Sequence, residues 1–526
     1  MITAVANLIP YSITYNQNTT DTVSNMPTPN PQAGNLDVNS TTTVTLSNNT
    51  PTRSGYVFKG WCTIQVADDA ACTGTEYQPS STYNIDYLTG NNTFTLYARW
   101  VQPTIYDEVA AMSKGTQTTA NLKSVITKPT SNDPATDTSN SGVYLYDEST
   151  FGTAADSNKS DGTRANIYYY RGILDSNLDE TSSSSYGSNG DGFYYPNYVI
   201  LDANSTKDAT DTCWRIVRTT ASGGVKMIYN GTWDTTNNTC AHAQTGAQLA
   251  TRQAFGLQGN SAQSMEWHRN INRVGYTFNN DPSIQDNTTA TSVGTVFGSN
   301  DNYGVNGENS NIKNYIETWF AGSNGISAYE SILEPNAGYC NDRTLNSGTS
   351  WTTPLIDSDT IVPYGTSGLT AYYFGSYTRN FLANGNKTLT LSCPRGVVDL
   401  YTYKTDNNTN LNGGNGQLTK PIALITADES ALAGSGYGRR TTDSTSSSNY
   451  SYSSYLRSGS NFWLLSPFLR EAVNGAVGFL LDSSGHLNGN LVIIANGVRP
   501  AISLTSGTIY SSGTGTAADP WVVDAP

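Results

Sequence analysis

Arg53-Ser-Gly-Tyr-Val-Phe-Lys-Gly-Trp61 and Thr93-Phe-Thr-Leu-Tyr-Ala-Arg-Trp100 decide the reading of the N-terminal fifth of this chain. Both stretches set large apolar residues against small or polar ones with a period near two, the pattern of half-buried strands. Tyr56, Phe58 and Trp61 are the expected core anchors of the first, glycine-bounded strand. Working outward, Ile13-Thr-Tyr-Asn alternates in the same way, as do Val44 and Leu46 among threonines. Met26-Pro-Thr-Pro-Asn-Pro31 interrupts them as a polyproline-like excursion. Residues 1–102 are therefore expected to form one self-contained β module.

The series Tyr-Asn…Met-Pro…Arg-x-Gly-Tyr-x-Phe-x-Gly-Trp…Leu-Tyr-Ala-x-Trp resembles the InlB B-repeat, the Listeria–Bacteroides repeat of bacterial surface proteins. The resemblance implies a small β-grasp-like module that spaces or presents other domains. Two departures stand out: Thr19-Thr20 replaces the usual Gly-Gly, and Cys62 and Cys72 are additions.

Composition narrows the function of the whole chain. Of 526 residues, 28 are basic and 42 acidic, so charged residues make up 13% and the net charge is −14. An average soluble domain carries about 25% charged residues. An acidic chain with no basic stripe offers few contacts to phosphates, which argues against nucleic acid as a partner. No apolar run approaches a bilayer span, so direct membrane insertion is not expected. Ser, Thr, Asn and Gly weaken helices while Tyr, Thr and Val favour strands, and aromatics at 11% supply a core. The expected fold class is α+β and β-rich. The opening Met1-Ile-Thr-Ala has neither a basic nor an apolar leader segment, and the chain is read as a mature or excised ectodomain.

Residues 103–165 read as a linker with a short helix at Tyr106–Ser113, its Val109 and Met112 on one side. From residue 166 to 526 the pattern becomes short strands between long polar loops. Asn166–Arg171 and Asn197–Leu201 are strand candidates. Cys213-Trp-Arg-Ile-Val-Arg218 and Val225-Lys-Met-Ile-Tyr229 flank Ser222-Gly-Gly224, a hairpin signal. Ile312, Tyr315, Ile316, Trp319 and Phe320 follow helical spacing, with Ser310 to cap the helix and Gly322 to stop it. Thr426 with Glu429 spells a capping box for a short helix ending near Gly434. Strands return at Asn461–Pro467, Ala476–Leu481, Asn490–Ile494 and Gly497–Leu504, with a turn at Asp482.

Six motifs run in order: Cys213–Arg218, Ile312–Phe320, Cys340-Asn-Asp-Arg343, Pro421–Glu429, Phe462-Trp-Leu-Leu-Ser-Pro467 and Gly497-Val-Arg-Pro-Ala-Ile-Ser-Leu504. The series is similar to a group of bacterial surface domains. Its Ser-Pro…Gly-Val-Arg-Pro-Ala ending resembles the C-type-lectin-like fold, in the branch of formylglycine-generating-enzyme-like proteins. The resemblance implies a scaffold that displays variable surface residues. Some proteins of this fold are rewritten near the C-terminus by diversity-generating retroelements, and that link is left open here. By this reading the ligand-binding residues are Phe468, Leu469, Arg470, Glu471, His486, Asn488, Asn490 and Ile493. Phe468 and Ile493 would serve as apolar anchors, Arg470 and Glu471 as charged specificity elements, and His486, Asn488 and Asn490 as hydrogen-bond partners.

The remaining chemistry is sparse. The three histidines, His242, His268 and His486, stand in polar surroundings, and no Gly-x-Ser-x-Gly elbow accompanies them. Formylglycine-generating chemistry needs late cysteines, and Cys393 is the last, so no enzyme is expected. The six cysteines carry no Cys-x-x-Cys and no histidine cluster, which argues against zinc and for disulfides in an oxidising compartment. Short loops favour the pairs Cys62–Cys72, Cys213–Cys240 and Cys340–Cys393. Glu334-Pro-Asn336, Ser188-Asn-Gly-Asp-Gly192 and Asp301–Glu308 are oxygen-rich, so the metal content is unknown and a structural Ca2+ is left open; no other cofactor is called. Tyr168-Tyr-Tyr170, Phe193-Tyr-Tyr195 and Tyr372-Tyr-Phe374 offer either a stacking surface or cross-strand packing. Asp342-Arg343, Asp428-Glu429 and Arg499 are expected to pin loops and the last strand. The expectation is an extracellular cell-surface protein that binds a protein or glycan on another cell or phage. The alternative is a stalk or surface-layer module with no ligand.

Overall fold

The structure is a computed structural model. It describes the chain outside residues 1–7, 38–42, 86–91, 120–121, 123–125, 128, 132–135, 173–194, 205, 241–243, 256–275, 280–306, 323–325, 345–354, 358–359, 363–370, 382–388, 395, 397–398, 404–413, 436–453, 472–474 and 484. Two compact units, Met1–Thr104 and Ile105–Pro526, make up the chain. Strands prevail over helices in both, which fits the β-rich class.

The first unit is a mixed five-stranded sheet. Its strands are β1 (Leu8–Asn16), β2 (Gln32–Asp37), β3 (Val57–Cys62), β4 (Glu76–Tyr77) and β5 (Thr93–Val101), in the order β2-β1-β5-β3-β4. The β1–β5 pair is parallel and the other pairs are antiparallel. Period-two alternation works as expected in β5, where Leu96, Ala98 and Trp100 are buried. In β3 it breaks. A register shift between Phe58 and Gly60 turns Trp61 fully inward and leaves Tyr56 and Phe58 packed at the rim of the core. Arg53 closes the unit, ion-paired with Asp21 and Asp68 at 2.6 and 2.7 Å and lying 3.8 Å over the Tyr56 ring.

The second unit begins earlier than composition suggests. Residues 103–165 do not behave as a linker. Helix α1 (Ile105–Ala111) buries Ile105 and Val109, and β6 (Ser113–Thr116) and β7 (Gly142–Leu145) are strands of the main sheet. Tyr146, Phe151 and Ala154 join the core. Polar loops hide this in the sequence, because each buried piece is only a few residues long.

The main sheet continues through β8 (Tyr168–Arg171), β9 (Tyr198–Asp202), β10 (Thr212–Thr219) and β11 (Val225–Thr232). Helix α2 (Asn311–Ala321) follows, then β12 (Ala371–Tyr373), α3 (Ala427–Leu432), β13 (Phe462–Glu471), β14 (Gly475–Leu481), β15 (Leu487–Leu491), β16 (Ala501–Leu504) and β17 (Trp521–Asp524). The main sheet runs β6-β7-β8-β10-β9-β17, with β11 joining β10 to β16. A second sheet runs β12-β13-β14-β15. The β10–β11 hairpin turns at Gly223, whose φ of 88° is one that side-chain-bearing residues rarely adopt.

Both expected caps are present. Ser310 accepts from Lys313 N at 3.2 Å and Gly322 ends α2, which buries Ile312, Ile316 and Phe320. At α3 the Thr426–Glu429 capping box is formed in both directions. The cysteines stand at disulfide distance in the three expected pairs, with Cα–Cα separations of 5.8, 5.6 and 5.6 Å.

Candidate functional site

Two places in the second unit gather polar chemistry. The first is a buried ion network where β10, β11 and α3 meet. Inward positions of strands normally hold apolar residues, yet all of β10 is buried, including Arg215 and Arg218. Each guanidinium therefore needs internal partners. Arg215 lies 4.6 and 4.9 Å from the ring centres of Tyr198 and Tyr455 and donates to the Tyr455 carbonyl. Arg218 forks onto Asp156 at 2.6 and 2.9 Å, and its Nε reaches Glu429 at 2.7 Å. From β11, Lys226 donates to the same Glu429 oxygen at 2.9 Å and to the Gly338 carbonyl at 3.1 Å. Arg379 pairs with Asp428 and Asp342 at 2.8 Å each.

Burial alone would raise the Glu429 carboxyl, but Lys226, Arg218 and the Thr426 N–H hold it at about 2. Burial lowers Lys226, with Glu429 opposing the shift. The space enclosed by these side chains is about 20 Å3, room for one water and far below the hundreds of Å3 of a substrate pocket. The arrangement locks elements together; it does not enclose a substrate. Sequence reading flagged Asp342 and Asp428-Glu429 as loop pins but missed Asp156, Arg218, Lys226 and Arg379. The available signal was charged residues inside apolar strand runs, as in Ile216-Val-Arg218 and Val225-Lys-Met227.

Glu334, which opens the oxygen-rich Glu334-Pro-Asn336 stretch, is 7% exposed beside this network. Its Oε2 has no hydrogen-bond partner, and burial pushes its carboxyl up to about 7, an effect that Ser222 and Thr220 offset only in part. Among the described residues no group of three His, Cys, Asp or Glu side chains is assembled to hold a metal. A raised folded pKa means that stability is fully present below the ordinary value of 4.5 and is lost as pH rises through 7. A difference of this size corresponds to about 3 kcal/mol. Glu334→Gln is therefore expected to flatten the decline of unfolding free energy between those pH values, as measured by urea denaturation across pH.

The second place is the C-terminal stretch singled out by sequence. Phe468 is not a surface anchor: it is 7% exposed, with Phe479 and Tyr377 edge-on at ring-centre distances of 4.6 and 4.7 Å. Gly489 on β15 leaves the room its ring fills, since a Cβ there would come within 3.0 Å. Leu469, Arg470 and Glu471 lie on β13, paired on both sides with β12 and β14; their side chains lie outside the described residues. His486, Asn488, Asn490 and Ile493 are half-buried along or just beyond β15, the edge strand, and Ile494 beside them is 41% exposed. The His486 Nδ1 stands 3.7 Å from Asp482. Asn488 and Asn490 curl back, each Oδ1 accepting from the next residue's N–H at 2.8 and 2.9 Å.

Other expectations resolve toward packing. Tyr169, Tyr170, Tyr195 and Phe374 are core residues, so they form no stacking surface. Arg499 is buried and bonded to the Tyr229 and Leu456 carbonyls and Asn230, as expected of an anchor. His242, His268, Ser188–Gly192, Phe193, Tyr194 and Asp301–Asn306 lie outside the described residues. Among the described residues no helix is long and apolar enough to cross a membrane.

No curated protein and no solved structure matches the chain. The family described as the Listeria-Bacteroides repeat domain matches residues 11–99, which span the five-stranded sheet from within β1 to within β5. Residues 11–99 are thus a Listeria–Bacteroides repeat domain, of a family typical of bacterial surface proteins.

Proposed function

We propose that this chain is an extracellular bacterial cell-surface binding protein. Its repeat domain spaces the second unit, and the second unit recognises a protein or glycan on another cell or phage, without a covalent step. The observation that carries the reading is β15: an edge strand along which His486, Asn488 and Asn490, and Ile493 just beyond, are half-buried beside the exposed Ile494, on a cross-linked scaffold. Rigid, amide-rich surfaces suit adaptable hydrogen bonding at low entropic cost. A non-catalytic reading of the ion network fits its space of about 20 Å3, room for one water. The C-type-lectin-like fold, and diversification by a retroelement, rest on the motif series that ends in Gly497-Val-Arg-Pro-Ala501. A near-copy of the 3′ coding sequence, differing at adenines beside a reverse transcriptase, would establish the latter.

The test is a titration of labelled full chain against arrays of immobilised glycans and bacterial surface proteins. Saturable binding to a member of the array is expected, weakened about tenfold or more by Asn488→Ala with Asn490→Ala while thermal unfolding is unchanged. Phe468→Ala belongs to a different class and should lower stability by about 3–5 kcal/mol. Absence of saturable binding would favour the stalk reading, and binding indifferent to the asparagine changes would sink the assignment to β15.

A further inference from the structure

The turn from β14 into β15 fixes which backbone groups of the edge strand face outward. Asp482 N–H donates to the His486 carbonyl at 2.9 Å, so the backbone of His486 faces β14. In an antiparallel ladder every second residue bonds the neighbouring strand, which leaves the N–H groups of Gly489 and Leu491 on the open side. Each turns onto the asparagine before it. Gly489 N–H donates to Asn488 Oδ1 at 2.8 Å, and Leu491 N–H to Asn490 Oδ1 at 2.9 Å. A carbonyl bond is about 1.2 Å long, so Gly489 N stands within about 4 Å of the Asn488 Cγ. That approaches the separation of about 3–3.5 Å from which a bond can form.

Packing holds position 489 as glycine. An added Cβ would come within 3.0 Å of the Phe468 ring and 2.9 Å of Val477. Without one, nothing on residue 489 shields its nitrogen from the Asn488 amide. Leu491 N makes the same contact with Asn490 but carries a branched side chain that crowds it. Asn488 and Gly489 are both half-buried, so solvent reaches them.

Among the described residues three other Asn-Gly pairs are complete, and each is tied down. Asn230 is 5% exposed, its Nδ2 donating to the Cys240 carbonyl at 2.7 Å and its Oδ1 accepting from Arg499 at 2.9 Å. After Asn415 the Gly416 N–H is turned to Thr402 Oγ1 at 3.1 Å, and after Asn496 the Gly497 N–H is turned to the Asn461 carbonyl at 2.9 Å.

We propose that Asn488 is a site of spontaneous deamidation, with water as the co-reactant, and that the fold directs the reaction there. Gly489 N, its proton lost to hydroxide, bonds to the Asn488 Cγ. The Cγ–Nδ2 bond breaks, and the amide nitrogen leaves as ammonia with a proton from water. The five-membered imide then takes up water. Breaking the new Cγ–N bond gives aspartate; breaking the original backbone C–N bond gives isoaspartate, whose main chain runs through Cβ and Cγ. In sum, asparagine and water become aspartate or isoaspartate and ammonia. Either product places a negative charge on β15. Isoaspartate also adds a backbone atom where Asn488 faces Leu480, which breaks the register of β14 with β15. The covalent step does not depend on the recognition proposed for β15, although it alters one of the residues placed there.

The test incubates the full chain at mildly alkaline pH beside a denatured, reduced and alkylated sample. Peptide mapping by mass spectrometry, with fragmentation locating each site, follows the amide-to-acid mass gain, and an isoaspartyl methyltransferase assay reads isoaspartate. In the folded chain Asn488 should convert at least about tenfold faster than Asn230, Asn415 and Asn496. In the denatured sample the four should convert at similar rates, with Asn490 behind them in both. A folded Asn488 as slow as the other three would overturn the proposal, because the ladder would then hold it as firmly as burial holds them. Equal conversion at Asn490, which shares the contact but not the glycine, would overturn it too.

Discussion

Glu429→Gln is expected to lower the unfolding free energy of the second unit by about 3–5 kcal/mol, the cost of leaving buried charge unpaired. In the native protein this carboxylate meets Arg218 at 2.7 Å and Lys226 at 2.9 Å, while its other oxygen caps α3 through Thr426 N at 2.9 Å. The amide keeps the shape and part of the cap but removes the charge, leaving Asp156 as the one carboxylate paired to Arg218. Guanidinium denaturation would show the loss in the transition of the second unit alone, since Glu429 lies wholly within it. Adding Lys226→Met removes the orphaned ammonium and should recover part of the loss, a coupling that a mutant cycle measures. The same carboxyl sets an acid limit. Its folded pKa of about 2 lies below the ordinary 4.5, so its contribution is present above 4.5 and disappears as pH falls through 2. The variant should lack that limb of the pH–stability curve. A loss below about 1 kcal/mol would mean that the network is solvated rather than buried.

What the sequence shows plainly here is whatever local chemistry determines. Helix α2 was legible because Ile312, Ile316 and Phe320 share one face and Ser310 and Gly322 bound it; the Thr426–Glu429 box and the Gly223 turn are equally local. The repeat domain was legible because its aromatic and glycine spacing is a continuous pattern. The ion network was not, since its partners are brought together by topology: Asp156 and Glu429 meet at Arg218 from opposite sides of the chain. Sheet membership of residues 113–116 and 142–145 was hidden for the same reason. Phe468 misled because the C-type-lectin-like resemblance assigned binding residues to the terminal strands and loops, whereas pairing on both sides of β13 makes that strand central. Asn488 and Asn490 read as free hydrogen-bonding groups, yet each satisfies its neighbour's N–H first.

Cys340→Ser with Cys393→Ser should cost about 4 kcal/mol, the largest effect among the three bridges, because it opens the longest loop. Closure entropy grows with loop length, and this pair is separated by 53 residues against 27 and 10 for the others. On the same scale Cys62–Cys72 contributes about 3 kcal/mol, and it acts on the repeat domain alone. The position of Cys340–Cys393 adds to its weight. Cys340 belongs to the short pair Tyr339–Cys340 with Leu400–Tyr401, and just beyond it Arg343 is bound to Asp399. Asp342, which receives Arg379, sits between them, so loosening this corner also loosens the ion network. Denaturation under reducing conditions should therefore shift the transition of the second unit further than that of the repeat domain, and the double variant should reproduce the Cys340–Cys393 share of that shift without reductant. Equal shifts in both transitions would show that loop length does not govern the stabilisation, and that the bridge spans segments still close together in the unfolded chain.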